Sequence, residues 1–172
     1  MLALRKALRF WPLAAALAAA LMLAVAHAFQ SFGHLAPCEL CLKQRDVYWV
    51  ALAVGLAGFA AARGLRRPHL INLTCFLLGA VFLVGEGVAV YHAGVEWKWW
   101  PGPQACTGQG RATVAAVTAL LNGARITGPS CDVAAWRMLG ISMAGWNAVV
   151  SLGLAVASIG AMGARRRGLD PA

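Results

Sequence analysis

The sequence predicts an all-α fold, an integral membrane four-helix bundle with two loops on the outer, periplasmic face. Three observations carry that expectation. Hydrophobic residues make up 60% of the 172 and charged residues only 12%, against roughly a quarter charged in an ordinary soluble domain. The apolar residues gather into four long stretches, and most basic residues cluster at the ends of those stretches. A chain this short cannot bury so much apolar surface in one water-facing globule, so the excess calls for lipid. The net charge of +9 raises nucleic acid as a partner. Basic clusters at the ends of apolar runs are instead what membrane topology requires, which argues against nucleic acid.

The stretches, in order, are about 11–29, 42–62, 70–91 and 141–162. Each approaches or exceeds the roughly 17–25 residues that cross about 30 Å of hydrocarbon. The second is apolar only from Val47 and borrows the turn that begins at Leu42. Backbone groups in lipid must be satisfied within the segment, so helix is preferred over strand. No internal repeat or low-complexity linker divides the chain, and 1–172 reads as one domain with outer loops at about 30–41 and 92–140.

Orientation follows from the basic clusters. Arg5, Lys6 and Arg9 precede the first stretch, Arg63, Arg66 and Arg67 separate the second and third, and Arg165, Arg166 and Arg167 follow the fourth. Four crossings put all three clusters on one side, which should be cytoplasmic, together with both termini. Lys43, Arg45, Lys98, Arg111, Arg125 and Arg137 remain outside, so the bias is clear without being absolute. Ala26-His27-Ala28 resembles a signal-peptidase site, but the apolar run before it exceeds the 7–15 residues of a signal sequence, which favours a retained helix.

Five cysteines carry the chemistry. Cys75 falls inside the third helix and reads as a small buried hydrophobe. Cys38, Cys41, Cys106 and Cys131 all lie in the outer loops, where an oxidising compartment favours pairing. Pro37 breaks the chain just ahead of Cys38-Glu39-Leu40-Cys41. The pair is therefore expected on the first turn of a helix, where free amides and the dipole favour a thiolate. Arg45 sits one turn after Cys41 on the same face, either supporting that thiolate or extending to the interface. Cys106 and Cys131 lie among Gly and Pro residues that read as loop. A structural disulfide there would contribute roughly 3–4 kcal/mol; beside a CxxC, relay by thiol–disulfide exchange is the better reading. Zinc usually takes two closely spaced ligand pairs, and only one is present. Leu42 stands where c-type haem attachment needs His, and a thioredoxin domain would need a βαβ setting.

Electrons leaving such a pair need an acceptor. No dinucleotide-binding glycine pattern or bis-histidine helix pair is evident, whereas a lipid-soluble quinone requires only an apolar cleft and a hydrogen-bond donor. His92, at the outer end of the third helix, is the candidate donor; its bland alternative is an interfacial histidine satisfied by water. Glu86 is costly in lipid and flagged as functional, unless it sits near the interface. Trp97, Trp99 and Trp100 read as an aromatic belt, and 113–121 as an apolar run lying on the surface.

Together these residues resemble the disulfide-bond formation protein B family, DsbB. The likeness rests on Pro37-Cys38-Glu39-Leu40-Cys41-Leu42-Lys43-Gln44-Arg45, on Tyr91-His92-Ala93-Gly94-Val95-Glu96-Trp97, and on Cys106 and Cys131 in the second outer loop. With the four-helix plan it covers essentially the whole chain. The resemblance implies a quinone-dependent protein dithiol oxidoreductase of the bacterial inner membrane, with redox-active disulfides Cys38–Cys41 and Cys106–Cys131. A DsbA-like periplasmic thiol oxidase would attack at Cys106; freed Cys131 would attack Cys38 and expel Cys41. Cys41, supported by Arg45, would pass electrons to ubiquinone or menaquinone near His92. The resemblance also implies a quinone that is not covalently bound at rest. A VKOR-like protein has its CxxC after the loop cysteines, the reverse of the order here. A membrane scaffold with two structural disulfides is the rival of another class, and thiol trapping in cells would separate it.

Overall fold

A computed structural model describes residues 10–67, 69–103 and 130–166, with the backbone alone at 163–166. Four helices dominate it: α1 (Trp11–Ser31), α2 (Glu39–Gly64), α3 (His69–Glu96) and α4 (Met143–Arg166). A hairpin of two short antiparallel strands, β1 (Arg137–Met138) and β2 (Ile141–Ser142), precedes α4. The all-α bundle expected from the apolar pattern is the fold found. Cys106, Arg5, Lys6, Arg9, Arg111, Arg125, Arg167 and the run 113–121 lie outside the described residues.

α1, α2, α3 and the Met143–Met162 part of α4 are each long and apolar enough to cross a membrane. Leu17, Leu21, Phe76, Val84 and Val156 are exposed, as expected of side chains that face lipid. Lipid gives helices little hydrophobic reason to associate, so contact depends on close approach and interior hydrogen bonds. Gly55 of α2 supplies the approach to α1: a Cβ there would lie 2.7 Å from the Pro12 carbonyl oxygen. Gly58 does the same for α3, against the Thr74 side chain. Between the helices Phe82, Leu78, Tyr48, Leu23 and alanines 15, 19, 51 and 155 form the main core. Trp11 Nε1 donates to Ser158 Oγ at 3.0 Å, tying α1 to α4. At the far end of α2, the Arg63 guanidinium lies 5.8 and 5.3 Å from the Phe10 and Phe59 ring centroids.

The site is positioned by helix ends that outrun the hydrocarbon. With 26 residues in α2 and 28 in α3, at 1.5 Å each they reach about 39 and 42 Å, roughly 10 Å beyond the apolar slab. The boundaries differ accordingly from those read from hydropathy. α2 begins at Glu39 because Cys38 caps it, its sulfur accepting from the Cys41 amide at 3.3 Å. α3 continues past Tyr91 and ends in a Schellman motif. There Lys98 takes a left-handed φ of 61°, and Trp99 N and Lys98 N donate to the Gly94 and Val95 carbonyls at 2.9 and 3.1 Å. α4 starts at Met143, later than expected. The residues before it turn as a hairpin through Leu139 and Gly140, whose φ values of 53° and 82° fit a two-residue type I′ turn.

Candidate active site

Capping α2 places one sulfur at a junction. Cys38 is buried, and four groups converge on its Sγ. The Cys41 amide is at 3.3 Å, Cys41 Sγ at 2.7 Å and His92 Nε2 at 3.7 Å. Cys131 Sγ approaches from the loop ahead of the hairpin, and the Cys38, His92 and Cys131 donor atoms all lie within 4.8 Å of one another. Cys38 and Cys41 stand as thiols, the reduced form of the pair expected from the CxxC. Cys131 is already disulfide-bonded; Cys106, the partner the sequence suggests for it, lies outside the described residues. The Cys38 thiol donates to the Cys41 sulfur, and that bond, with burial adding to it, holds the Cys38 thiol far above the ordinary thiol range, so Cys38 keeps its proton. A protonated thiol and a sulfur already in a disulfide make a poor metal donor set. Three sulfurs in a row suit exchange.

His92 is held by a hydrogen-bond chain running down into the bundle. Ser151 Oγ and Tyr48 Oη lie 3.0 Å apart, and Tyr48 Oη donates to Asn147 Oδ1. Asn147 Nδ2 donates to Gln44 Oε1 at 2.6 Å, and Gln44 Nε2 to His92 Nδ1 at 2.9 Å. All five residues are buried. An amide NH₂ can only donate, so Nδ1 must accept and the neutral ring carries its proton on Nε2. That N–H faces Cys38 Sγ and the Cys131 backbone.

Beside the sulfurs a cavity of about 550 Å³ opens between the helix ends, within the range of small-molecule sites. Its walls are mainly apolar, Met22, Phe29, Trp136 and Val150 among them, and Cys41, Arg45, His92 and Glu96 add polar groups. Cys41 is partly exposed while Cys38 is buried. One cysteine of the pair thus meets the loop sulfur and the other lines the cavity.

A family described as "Disulfide bond formation protein DsbB" matches residues 8–161. The chain belongs to the DsbB family. Three relatives bear the name Disulfide bond formation protein B. The one from Dechloromonas aromatica (strain RCB) is 31% identical over 140 residues, covering 77% of this chain and 79% of its own. The one from Methylococcus capsulatus (strain Bath) is 33% identical over 156 residues, at 81% and 85% coverage. The one from Nitrosococcus oceani is 31% identical over 147 residues, at 84% and 85%. No solved structure gives a significant match. With four helices fit to cross a membrane, this DsbB-family protein is a multi-pass membrane oxidoreductase of disulfide formation.

The DsbB-family residues singled out in the sequence meet in part. Cys38, Cys41, His92, Cys131 and Arg45 converge. Arg45 lines the cavity, and its charge reaches Cys41. Its hydrogen bonds, however, go to the end of α1: to Gln30 Oε1 at 2.5 Å and the Ala26 carbonyl at 3.0 Å. Glu86 is half-buried and not among the cavity residues. Cys75 packs against Ala62, Ile71 and Ala161. The tryptophans form a ring cluster, with Trp100 stacked on Tyr91 at 6.0 Å and packed over Gly94, where a Cβ would collide with the indole. The sequence reading quoted Gln44 within the motif without giving it a role, and missed Tyr48, Asn147 and Ser151. A polar residue inside a membrane helix is itself a signal, and Asn147 and Ser151, one turn apart on α4, carried it.

Proposed function

We propose that the chain, taken whole as one unit (1–172), reoxidises a periplasmic DsbA-like thiol oxidase and passes the electrons to a membrane quinone. It sits in the bacterial inner membrane with both termini cytoplasmic. The observation carrying this reading is the order of the sulfurs: Cys131, then Cys38, then Cys41 on the cavity wall. A reduced partner attacks a Cys106–Cys131 disulfide at Cys106. The freed Cys131 thiolate attacks Cys38 of a closed Cys38–Cys41 disulfide, and Cys41 leaves as a thiolate held by the α2 N-terminus and Arg45. The partner's second thiol displaces Cys106 and leaves as the oxidised partner; Cys106 then re-forms its bond with Cys131, which frees Cys38 as a thiol. Closing of Cys38 with Cys41 then releases two electrons. A quinone, ubiquinone or menaquinone, non-covalently bound at rest, supplies a two-electron acceptor. The cavity fits such a molecule: apolar walls suit a ring and isoprenoid chain, and the Arg45 and His92 N–H groups suit ring oxygens. His92, fixed as the Nε2–H tautomer, donates toward Cys38.

The protein, purified from its native membrane, should carry extractable quinone by mass spectrometry and reduce it at the expense of a reduced DsbA-like protein. Quinone-free protein that oxidises the partner at full rate without added quinone would refute the assignment.

A further inference from the structure

Glu96 has no part in that chemistry, yet it closes α3 at the same site. It is 8% exposed and lines the cavity with Cys38, Cys41 and His92. Its Oε1 lies 3.7 Å from His92 Nε2, and its Oε2 is buried with no hydrogen-bond partner. The groups facing it are His92 on its own helix, Cys38, Cys41 and Arg45 from α2, and Arg137 and the Ser142 hydroxyl from the hairpin. A buried carboxylate with an unmet oxygen is costly. A protonated carboxyl costs less there, although the Ser142 hydroxyl and the Arg137 charge support the ionised form, and its O–H can face the cavity. Charge on Glu96 also acts directly against charge on Cys41. One negative charge in this apolar space is cheaper than two, so ionisation of Cys41 favours the protonated acid.

Proton bookkeeping gives this acid a task. The Cys41 pKa is lowered to about 7, chiefly by the Cys38 hydrogen bond. Once Cys41 is ionised, the reduced pair holds one proton, on Cys38, whereas turning a quinone into a quinol takes two electrons and two protons. We propose that Glu96 is the proton donor of the acceptor half-reaction, holding the second proton while the pair is reduced and releasing it into the cavity as the pair closes. This rests on the quinone reading. In the step, the S–S bond forms, two electrons leave the sulfurs, and the Cys38 and Glu96 protons leave with them. Glu96 is left as a carboxylate. The next partner dithiol brings two electrons and two protons, which restore the Cys38 thiol and the Glu96 acid.

Infrared difference spectra of quinone-depleted protein test this without turnover. Reduction of the wild type should raise a protonated-carboxyl C=O band that Glu96→Gln lacks. In turnover with a short-chain ubiquinone, Glu96→Gln should lose on the order of a hundredfold. Its remaining rate should fall steadily as pH rises, Glu96→Asp should recover part, and exchange with the partner should stay normal. No such band in the wild type overturns the proposal, as does a Glu96→Gln equal to wild type in rate and pH profile. A wild type that exchanges thiols with its partner but reduces no quinone overturns the acceptor reading, and this inference with it.

Discussion

Arg45 makes two kinds of contact, and substitutions separate them. Its fork holds Gln30 and the Ala26 carbonyl, while its charge reaches Cys41. Arg45→Gln should cut quinone reduction about 10–100-fold, the weight of one charge-assisted contact, and leave partner exchange near normal. Arg45→Lys keeps the charge without the planar fork and should fall between. Gln30→Ala, which removes an anchor only, should be nearly silent if the charge is what matters; thiolate absorbance at neutral pH follows the Cys41 charge directly. Tyr48→Phe deletes the donor to Asn147 and leaves a buried amide oxygen unmet, at about 1–3 kcal/mol. The expected result is a lower thermal midpoint and a His92 ring that samples both tautomers, read by ¹⁵N chemical shifts. Cys75→Ala should leave turnover close to wild type, because its side chain packs among Ala62, Ile71 and Ala161, away from the relay. Loss of quinone-dependent oxidation in that variant would break the division between core and chemistry.

At the scale of elements, the end of α3 delivers the loop sulfur. The Schellman turn sets Lys98 in a left-handed conformation, and Lys98 Nζ meets Asp132 Oδ2 at 2.5 Å, next to Cys131. Lys98 and then the Ser130 hydroxyl hold the Asp132 carboxyl below the usual carboxylate range. A depressed folded value means the tether is in place above the ordinary carboxylate pKa and is lost only as pH falls through the lower folded one. Hydrogen exchange around Cys131 should therefore stay slow at neutral and mildly acidic pH and accelerate only in stronger acid. Asp132→Asn should accelerate it at neutral and mildly acidic pH and match the wild type in stronger acid, with a small effect on global stability because the pair is largely exposed. A wild-type loop that loosens across the full normal titration of aspartate would show that the tether does not form.

Over the whole molecule, the bundle keeps two surfaces apart: an apolar outside and a polar seam that rises from Ser151 to His92. Among the described residues the seam meets the cavity at the end that bears Cys38, Cys41 and Cys131, the face from which the proposed relay would work. After reduction, a membrane-impermeant maleimide should label cysteines 38, 41, 106 and 131 in intact cells and spare Cys75. Labelling of the four only after lysis would invert the proposed orientation.

Composition and run length settled class and helix number, and the placement of arginines predicts the outer position of the four loop cysteines. They could do so because hydrophobic length and charge act on each segment independently of its neighbours. The CxxC at a helix start was legible for a like reason: Pro37 and the N-cap act within a few residues. Tertiary structure alone decided what lies beside what. Cys131 reaches Cys38 across the bundle, Gln44 and Asn147 meet from different helices, and Glu96 is buried instead of solvated in a loop. Helix ends were misread because hydropathy reports where lipid stops, whereas a helix stops where its last amides and carbonyls find caps. At both α2 and α3 those caps lie beyond the lipid, and the site is built in the difference.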